Sequence, residues 1–212
     1  MGTMTIRVSG VYDLRTIKRL QEKKVSHFAF DFRPRSLNFI QEHLCLDILK
    51  SSSLGSLYLQ FENEKSYVID RVFSNIRSSF EGNVALELFN CDDSTEEVKH
   101  PFIVNIDSEN LPGWIFKSPY LKGYSIDSQF LCRLKDSGRF DPWLRSFYSL
   151  NSGNSNNLLH ILCRDWDDDI FPSLYELLDF DLVSLPINPK VESCFRNVDL
   201  KKLTSQLQFI SI

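Results

Sequence analysis

The sequence predicts an α/β protein, a (β/α)8 TIM barrel formed by a single domain spanning residues 1–212. Three observations lead there. Eight apolar segments of strand length are spread along the chain, amphipathic helical patterns run between most of them, and no linker is long enough to divide the chain. With 212 residues, 42% hydrophobic and 25% charged, the composition is that of a globular domain. The length lies near the lower limit for eight strand–helix units. An open, doubly wound sheet is the alternative fold for the same pattern.

The expected strands are Thr5–Gly10, His27–Phe32, Ser56–Phe61, Asn83–Phe89, Phe102–Asp107, Leu121–Asp127, Leu158–Cys163 and Leu182–Ile187. Asp13 is placed to cap a helix over Leu14–Lys24, where Leu14, Ile17 and Leu20 recur at helical spacing. Ser36 is expected to cap Leu37–Lys50, and Glu64–Ser79 gathers Val68, Val72, Phe73 and Ile76 on one face. Around the fourth and fifth strands, Pro101, Pro112, Gly113 and Pro119 break the periodicity, so helices there should be short or missing. Pro142–Leu150 starts with proline in its first turn, which a helix accepts. Ser152–Asn157 reads as a polar loop, and Phe171–Phe180 and Val198–Gln208 fill the last helical slots.

Composition excludes several functions. The net charge is −4 and no basic stripe exists, which argues against nucleic acid. No apolar run reaches membrane-spanning length. The N-terminus has no basic stretch followed by a long apolar core, and Ile6 stands where a myristoylation signal needs Ser or Thr. The five cysteines are scattered without a CxxC, so free thiols and a cytoplasmic location are expected. His27, His43, His100 and His160 lack metal-ligand spacing, and neither a metal nor a cofactor is expected. The 17 phenylalanines suggest a large aromatic core.

Strand alternation puts Arg7 and Ser9 on one face. It turns Phe28, Phe30 and Phe32 outward and Asp31 inward, so an Arg7–Asp31 ion pair between adjacent strands is expected inside the barrel. Glu87, Asn105 and Asp107 occur late in their strands. The acidic run Asp165, Asp167, Asp168 and Asp169 reads as helix N-terminal capping, having neither the spacing nor the glycine of a calcium loop.

Several segments together resemble one family. The first strand ends Arg7-Val8-Ser9-Gly10, where that family reads Lys-Ile-Cys-Gly. The second strand and loop read Ala29-Phe30-Asp31-Phe32-Arg33-Pro34-Arg35-Ser36-Leu37-Asn38-Phe39-Ile40, against roughly Gly-Phe-Val-Phe-x-Pro-x-Ser-x-Arg-x-Ile. Tyr124-Ser125-Ile126-Asp127, then Ser137-Gly138-Arg139-Phe140-Asp141-Pro142-Trp143, match a Leu-Leu-Asp strand and a loop ending Phe-Asp-Trp. The tail, with Val191-Glu192 and Asp199-Leu200-Lys201-Lys202-Leu203, is similar to the family's last loop and helix. The chain thus resembles phosphoribosylanthranilate isomerase, a (β/α)8 enzyme of tryptophan biosynthesis that converts an aminoaldose into an aminoketose by an Amadori rearrangement.

The resemblance implies Asp127 as the acid that opens the sugar ring. It places Ser9 where the family has its cysteine base, and a serine hydroxyl needs a base of its own. Asn38 stands at the family's substrate-binding arginine, with Arg33 and Arg35 close enough in sequence to substitute. Arg7 and Asp31 complete the candidate binding residues. The family holds its phosphate on Gly-rich turns after the seventh and eighth strands. Here those turns read Cys163-Arg164-Asp165-Trp166-Asp167-Asp168-Asp169 and Pro186-Ile187-Asn188-Pro189-Lys190, acidic and proline-containing, without glycine. The expectation is a diverged barrel, a pseudoenzyme or near it, with isomerase activity weak, altered or lost. The alternatives are an active isomerase using Asp127, or a non-catalytic binding or scaffold protein. The expected ligand is a small molecule, a sugar phosphate if the ancestral function is kept.

Overall fold

Eight parallel strands pair in chain order and the eighth closes on the first in the computed structural model, which describes residues 5–91, 97–109, 113–151, 158–168 and 178–210. They are β1 (Thr5–Ser9), β2 (His27–Asp31), β3 (Ser56–Phe61), β4 (Asn83–Leu88), β5 (Phe102–Ile106), β6 (Leu121–Asp127), β7 (Leu159–Cys163) and β8 (Leu182–Pro186). Closure runs from Thr5 beside Leu182 to Ser9 beside Pro186. A closed ring leaves no unpaired edge, and it excludes the doubly wound sheet.

Alternation sorts the side chains as expected. Val8, Phe28, Phe30, Leu57, Leu59 and Leu86 face outward and join Ile17, Leu20, Ile69 and Ile76 of the helices in one apolar layer. A separate inner cluster of Ala29, Tyr58, Ile103, Ile161 and Leu182 lies inside the barrel. Arg7, Asp31, Gln60, Glu87, Ser125 and Ser184 are buried polar residues, and they stand toward the strands' C-terminal ends.

Among the described residues the helices are α1 (Leu14–Glu22), α2 (Glu42–Lys50), α3 (Ser66–Ser79), α4 (Ser128–Asp136), α5 (Phe140–Asn151) and α6 (Leu200–Ile210). Asp13 caps α1, accepting from Thr16 N at 2.8 Å. Between β4 and β6, apart from β5, the described residues hold no α-helix, only 3-10 turns such as Ile115–Lys117, in keeping with the prolines there.

Three elements differ from expectation. First, α2 begins at Glu42 rather than Leu37. The Ser36 hydroxyl accepts from Asn38 N two residues on, and Ile40 N donates to Asp31 O, so this backbone is paired with the strand end and cannot wind. Second, α4 follows β6 directly, capped by Asp127. Third, a small hairpin of β9 (Glu192–Cys194) and β10 (Asn197–Val198) precedes α6. Most of Phe171–Phe180, all of Ser152–Asn157, and Asp169 lie outside the described residues. All five cysteines are free thiols. No helix among the described residues is long and apolar enough to cross a membrane.

Candidate functional site

The C-terminal strand ends surround a cavity of about 500 Å³. Its floor is an ion pair. Arg7 and Glu87, 1% and 0% exposed in their side chains, meet in a two-pronged contact of 3.0 and 2.9 Å across the barrel from β1 to β4. Gln60 donates to the same carboxylate at 2.8 Å, and Arg7 Nε donates to Ser184 Oγ at 2.8 Å. Burial opposes ionisation of Glu87, but the charge and hydrogen bonds of Arg7, with bonds from Ser125 and Gln60, hold its carboxyl below the ordinary 4.5.

This corrects the expected Arg7–Asp31 pair. Asp31 is claimed by Arg33, two residues on, which donates its backbone N–H at 3.0 Å and its guanidinium at 2.9 and 2.7 Å. The short connection satisfies Asp31 locally, leaving Arg7 to Glu87. Arg33 also stacks 4.0 Å above the Phe89 ring at the rim.

Asp127 lines the cavity from the end of β6. Its Oδ1 accepts from Phe130 N at 2.7 Å, so one carboxylate caps α4 and faces the mouth. Burial lifts this carboxyl above the ordinary 3.8; the bond from Phe130 and the charge of Arg133 oppose the rise, and the nearby Asp168 and Asp107 add to it. A carboxyl so placed holds its proton more tightly, as a general acid needs.

Ser9 also lines the cavity, and its hydroxyl donates to Leu185 O at 3.4 Å. Asn38 is committed elsewhere: its Nδ2 donates to Ile187 O at 2.6 Å, tying the β2 loop to the end of β8. That tie lies over Gly10, whose φ of +72° and missing side chain are both required, since a Cβ there would fall 2.4 Å from Asn38 Nδ2. Arg35 is exposed and does not line the cavity. The structure thus brings Arg7, Ser9, Asp31, Arg33, Asn38 and Asp127 to the mouth and leaves Arg35 outside.

Sequence reasoning missed Gln60, Phe89, Ser184 and Cys163. Cys163 sits beside Asp127 in register and within 3.6 Å of Arg7 Nη2. Burial pushes its thiol up to about 12, although Arg7 pulls the other way.

The turns after β7 and β8 are closed by their own side chains. Trp166 is buried between them, and its Nε1–H donates to Pro186 O at 2.7 Å. Asp165 accepts from Trp166 N at 2.7 Å, from Asn188 Nδ2 at 2.8 Å and from Lys190 Nζ at 2.7 Å. Lys190 also pairs with Asp167. Asp168 accepts from Asp165 N at 2.8 Å and from Ser128 Oγ at 2.6 Å. The described acids of this run thus bind their own backbone, the start of α4 and the loop after β8, while the residues that follow them, where a capped helix was expected, lie outside the described residues. Around the whole cavity, seven carboxylates face three guanidinium groups, those of Arg7, Arg33 and Arg164. All three arginines are engaged internally, Arg164 with the carbonyls of Asp165 and Asp168. No group of three or more His, Cys, Asp or Glu side chains among the described residues is placed to hold a metal ion.

No family model matches the chain, and no curated protein matches it. Solved structures do. A phosphoribosyl anthranilate isomerase from Thermus thermophilus superimposes with a TM-score of 0.64 over 98% of this chain and 100% of that one, at 14% identity. TrpF from Jonesia denitrificans gives 0.65 over 97% and 95%, at 14% identity. An isomerase in complex with reduced 1-(o-carboxyphenylamino)-1-deoxyribulose 5-phosphate gives 0.63 over 97% of both chains, at 13% identity. The barrel has the fold of the phosphoribosylanthranilate isomerases. At such identities the likeness is one of architecture, and function rests on the mouth.

Proposed function

We propose that this chain is a diverged phosphoribosylanthranilate isomerase-like barrel, one domain over residues 1–212 and cytoplasmic, that has lost the Amadori isomerisation and receives a small uncharged or cationic polar ligand at its mouth. The observation that carries the reading is the closure of the turns after β7 and β8. Trp166 and the Lys190–Asp165 pair fill the region where the resemblance would put a phosphate. The backbone N–H groups of Asp165 and Trp166 are already donated to carboxylates.

Two further features support it. Of the seven lining carboxylates, Glu87, Asp31 and Asp165 are neutralised by Arg7, Arg33 and Lys190, and an incoming phosphate would still meet Glu62, Asp107, Asp127 and Asp168; each close like-charge contact costs on the order of a few kcal/mol at intermediate dielectric. The retained acid also lacks a matched base. The Ser9 hydroxyl is bound to a carbonyl, and the Cys163 thiol is held protonated by burial.

The test is an isomerase assay on purified protein, alongside complementation of an isomerase-deficient tryptophan auxotroph. The expected outcome is no turnover and no growth. Wild-type growth, or turnover abolished by Asp127→Asn, would replace this reading with that of an active isomerase. The raised carboxyl of Asp127 at the mouth is what favours that second reading.

A further inference from the structure

A second cavity, of about 580 Å³, opens at the opposite end of the barrel, and nothing in the mouth chemistry uses it. This end of such a barrel is ordinarily packed with large branched side chains. Here the inward residues of β4 at this end are the polar Asn83 and the small Ala85, the next one up being Glu87 of the mouth floor. Gly123 of β6, paired between Ile103 and Leu159, contributes no side chain. That position cannot be filled, because a Cβ on Gly123 would lie 2.0 Å from Leu159 O. Ala85, Leu159 and His27 consequently line the cavity and remain only partly buried.

The two cavities are separated by a stacked pair. The Arg7 guanidinium, floor of the mouth, lies 4.9 Å from the centre of the Tyr58 ring, which belongs to the lower cavity. Tyr58 OH and His27 Nδ1 are 3.4 Å apart. Burial pushes the Tyr58 phenol up to about 12, while burial and Arg7 hold His27 below 6.5, so both are neutral at pH 7. In either His27 tautomer the pair retains one polar hydrogen that the other does not use. The charge at this end is the reverse of that at the mouth. Lys122 and Arg77 line the cavity, Arg77 with its Nη1 also donating to the carbonyls of Phe80 and Gly82, and no carboxylate among the described residues does. Asp181, at the foot of β8, accepts from His160 N at 2.8 Å instead.

We infer that this lower cavity is a binding site for a small monoanion with an apolar body, an aromatic or branched carboxylate. Its charged end would meet Lys122, Arg77 and the His27–Tyr58 pair, and its hydrocarbon would lie against Ile103 and Leu159. The inference is independent of what the mouth does.

The experiment is an NMR titration of the full chain with benzoate, and with benzylamine as the same ring of opposite charge. Benzoate should give saturable shifts at His27, Ala85 and Ile103 with Ser9 and Asp127 unmoved, and benzylamine should leave the lower cavity unshifted. Lys122→Glu, at an exposed position, should weaken benzoate about tenfold or more. Ala85→Leu should abolish binding by filling the space. Shifts centred on the mouth, equal responses to both compounds, an unchanged affinity in Lys122→Glu, or no saturation by about 10 mM would each overturn the inference.

Discussion

Replacing Glu87 by Gln should destabilise this barrel more than any conservative surface change, and the structure says by how much. The substitution keeps shape and removes one charge. Glu87 accepts two bonds from Arg7 and one from Gln60 inside a fully buried layer. Arg7 cannot shed its proton, so its guanidinium would remain charged with only an amide to face it. Stranding one partner of a buried pair costs about 3–5 kcal/mol. For a chain of this size, each kcal/mol moves the melting temperature by about 2–4 °C, so a fall of roughly 10 °C is expected. Urea unfolding should show a lower midpoint with unchanged slope. The double variant Arg7→Met with Glu87→Leu should recover most of the loss, because it removes both desolvation costs. The pH dependence has a fixed sign. The Glu87 carboxyl lies below 4.5 in the fold, so its contribution is complete above that value and disappears as pH falls through the lower folded value. Parent and Glu87→Gln should therefore converge in acid. A cost below about 1 kcal/mol, or simple additivity of the two single variants, would refute the pair as the keystone of the barrel floor.

Asp127→Asn should raise stability at pH 7 by less than about 1 kcal/mol, since Asn still caps α4. The folded carboxyl lies above 3.8, so the native state binds its proton more tightly than the unfolded chain does. The penalty relieved by Asn should shrink to nothing as pH falls below 3.8 in paired urea titrations. Trp166→Phe removes the bond to Pro186 O and should cost about 1 kcal/mol in the same assay. The double variant Asp165→Ala with Asp168→Ala releases two backbone N–H donors and frees Lys190 from one partner. It should gain a phosphate-dependent rise in melting temperature that the parent lacks, read by thermal shift in inorganic phosphate.

The strands were legible in the sequence to within a residue at each end, because runs such as Phe28–Phe30 and Val84–Leu88 alternate between a helix-covered face and the barrel interior. The partner of Arg7 was not. Adjacent strands offered Asp31, and only closure of the ring carries the β1 side chain across to β4. The start of α2 was misread because Ser36 is a good cap in isolation, while the Asp31 carbonyl had already claimed Ile40 N. Asp127 stood out as a candidate acid only through the family resemblance. Its second task, capping α4, was hidden by that first assignment. Arg35 could not be separated from Arg33 by spacing. Only Arg33 has a carboxylate and the Phe89 ring to hold it at the mouth.

On the proposed reading, the loops after β7 and β8 are how such a barrel gives up an anion site without losing its fold. A phosphate cradle is a set of backbone donors with no partner inside the protein, and glycine is useful there because it adds no competing acceptor. Here the carboxylates of Asp165 and Asp168 occupy donors of the same loop, and Lys190 neutralises part of their charge from the next one. The loop thereby carries its own anion. Such an exchange leaves the outer apolar layer of Phe28, Phe30, Ile17 and Leu20 untouched, so the scaffold does not resist it. The chemistry is more exposed. Once a built-in carboxylate holds the donors, an external dianion must displace it against the remaining acids of the mouth. An uncharged or cationic ligand meets no such opposition, which is why the closed loops and the acidic lining point to the same class of occupant.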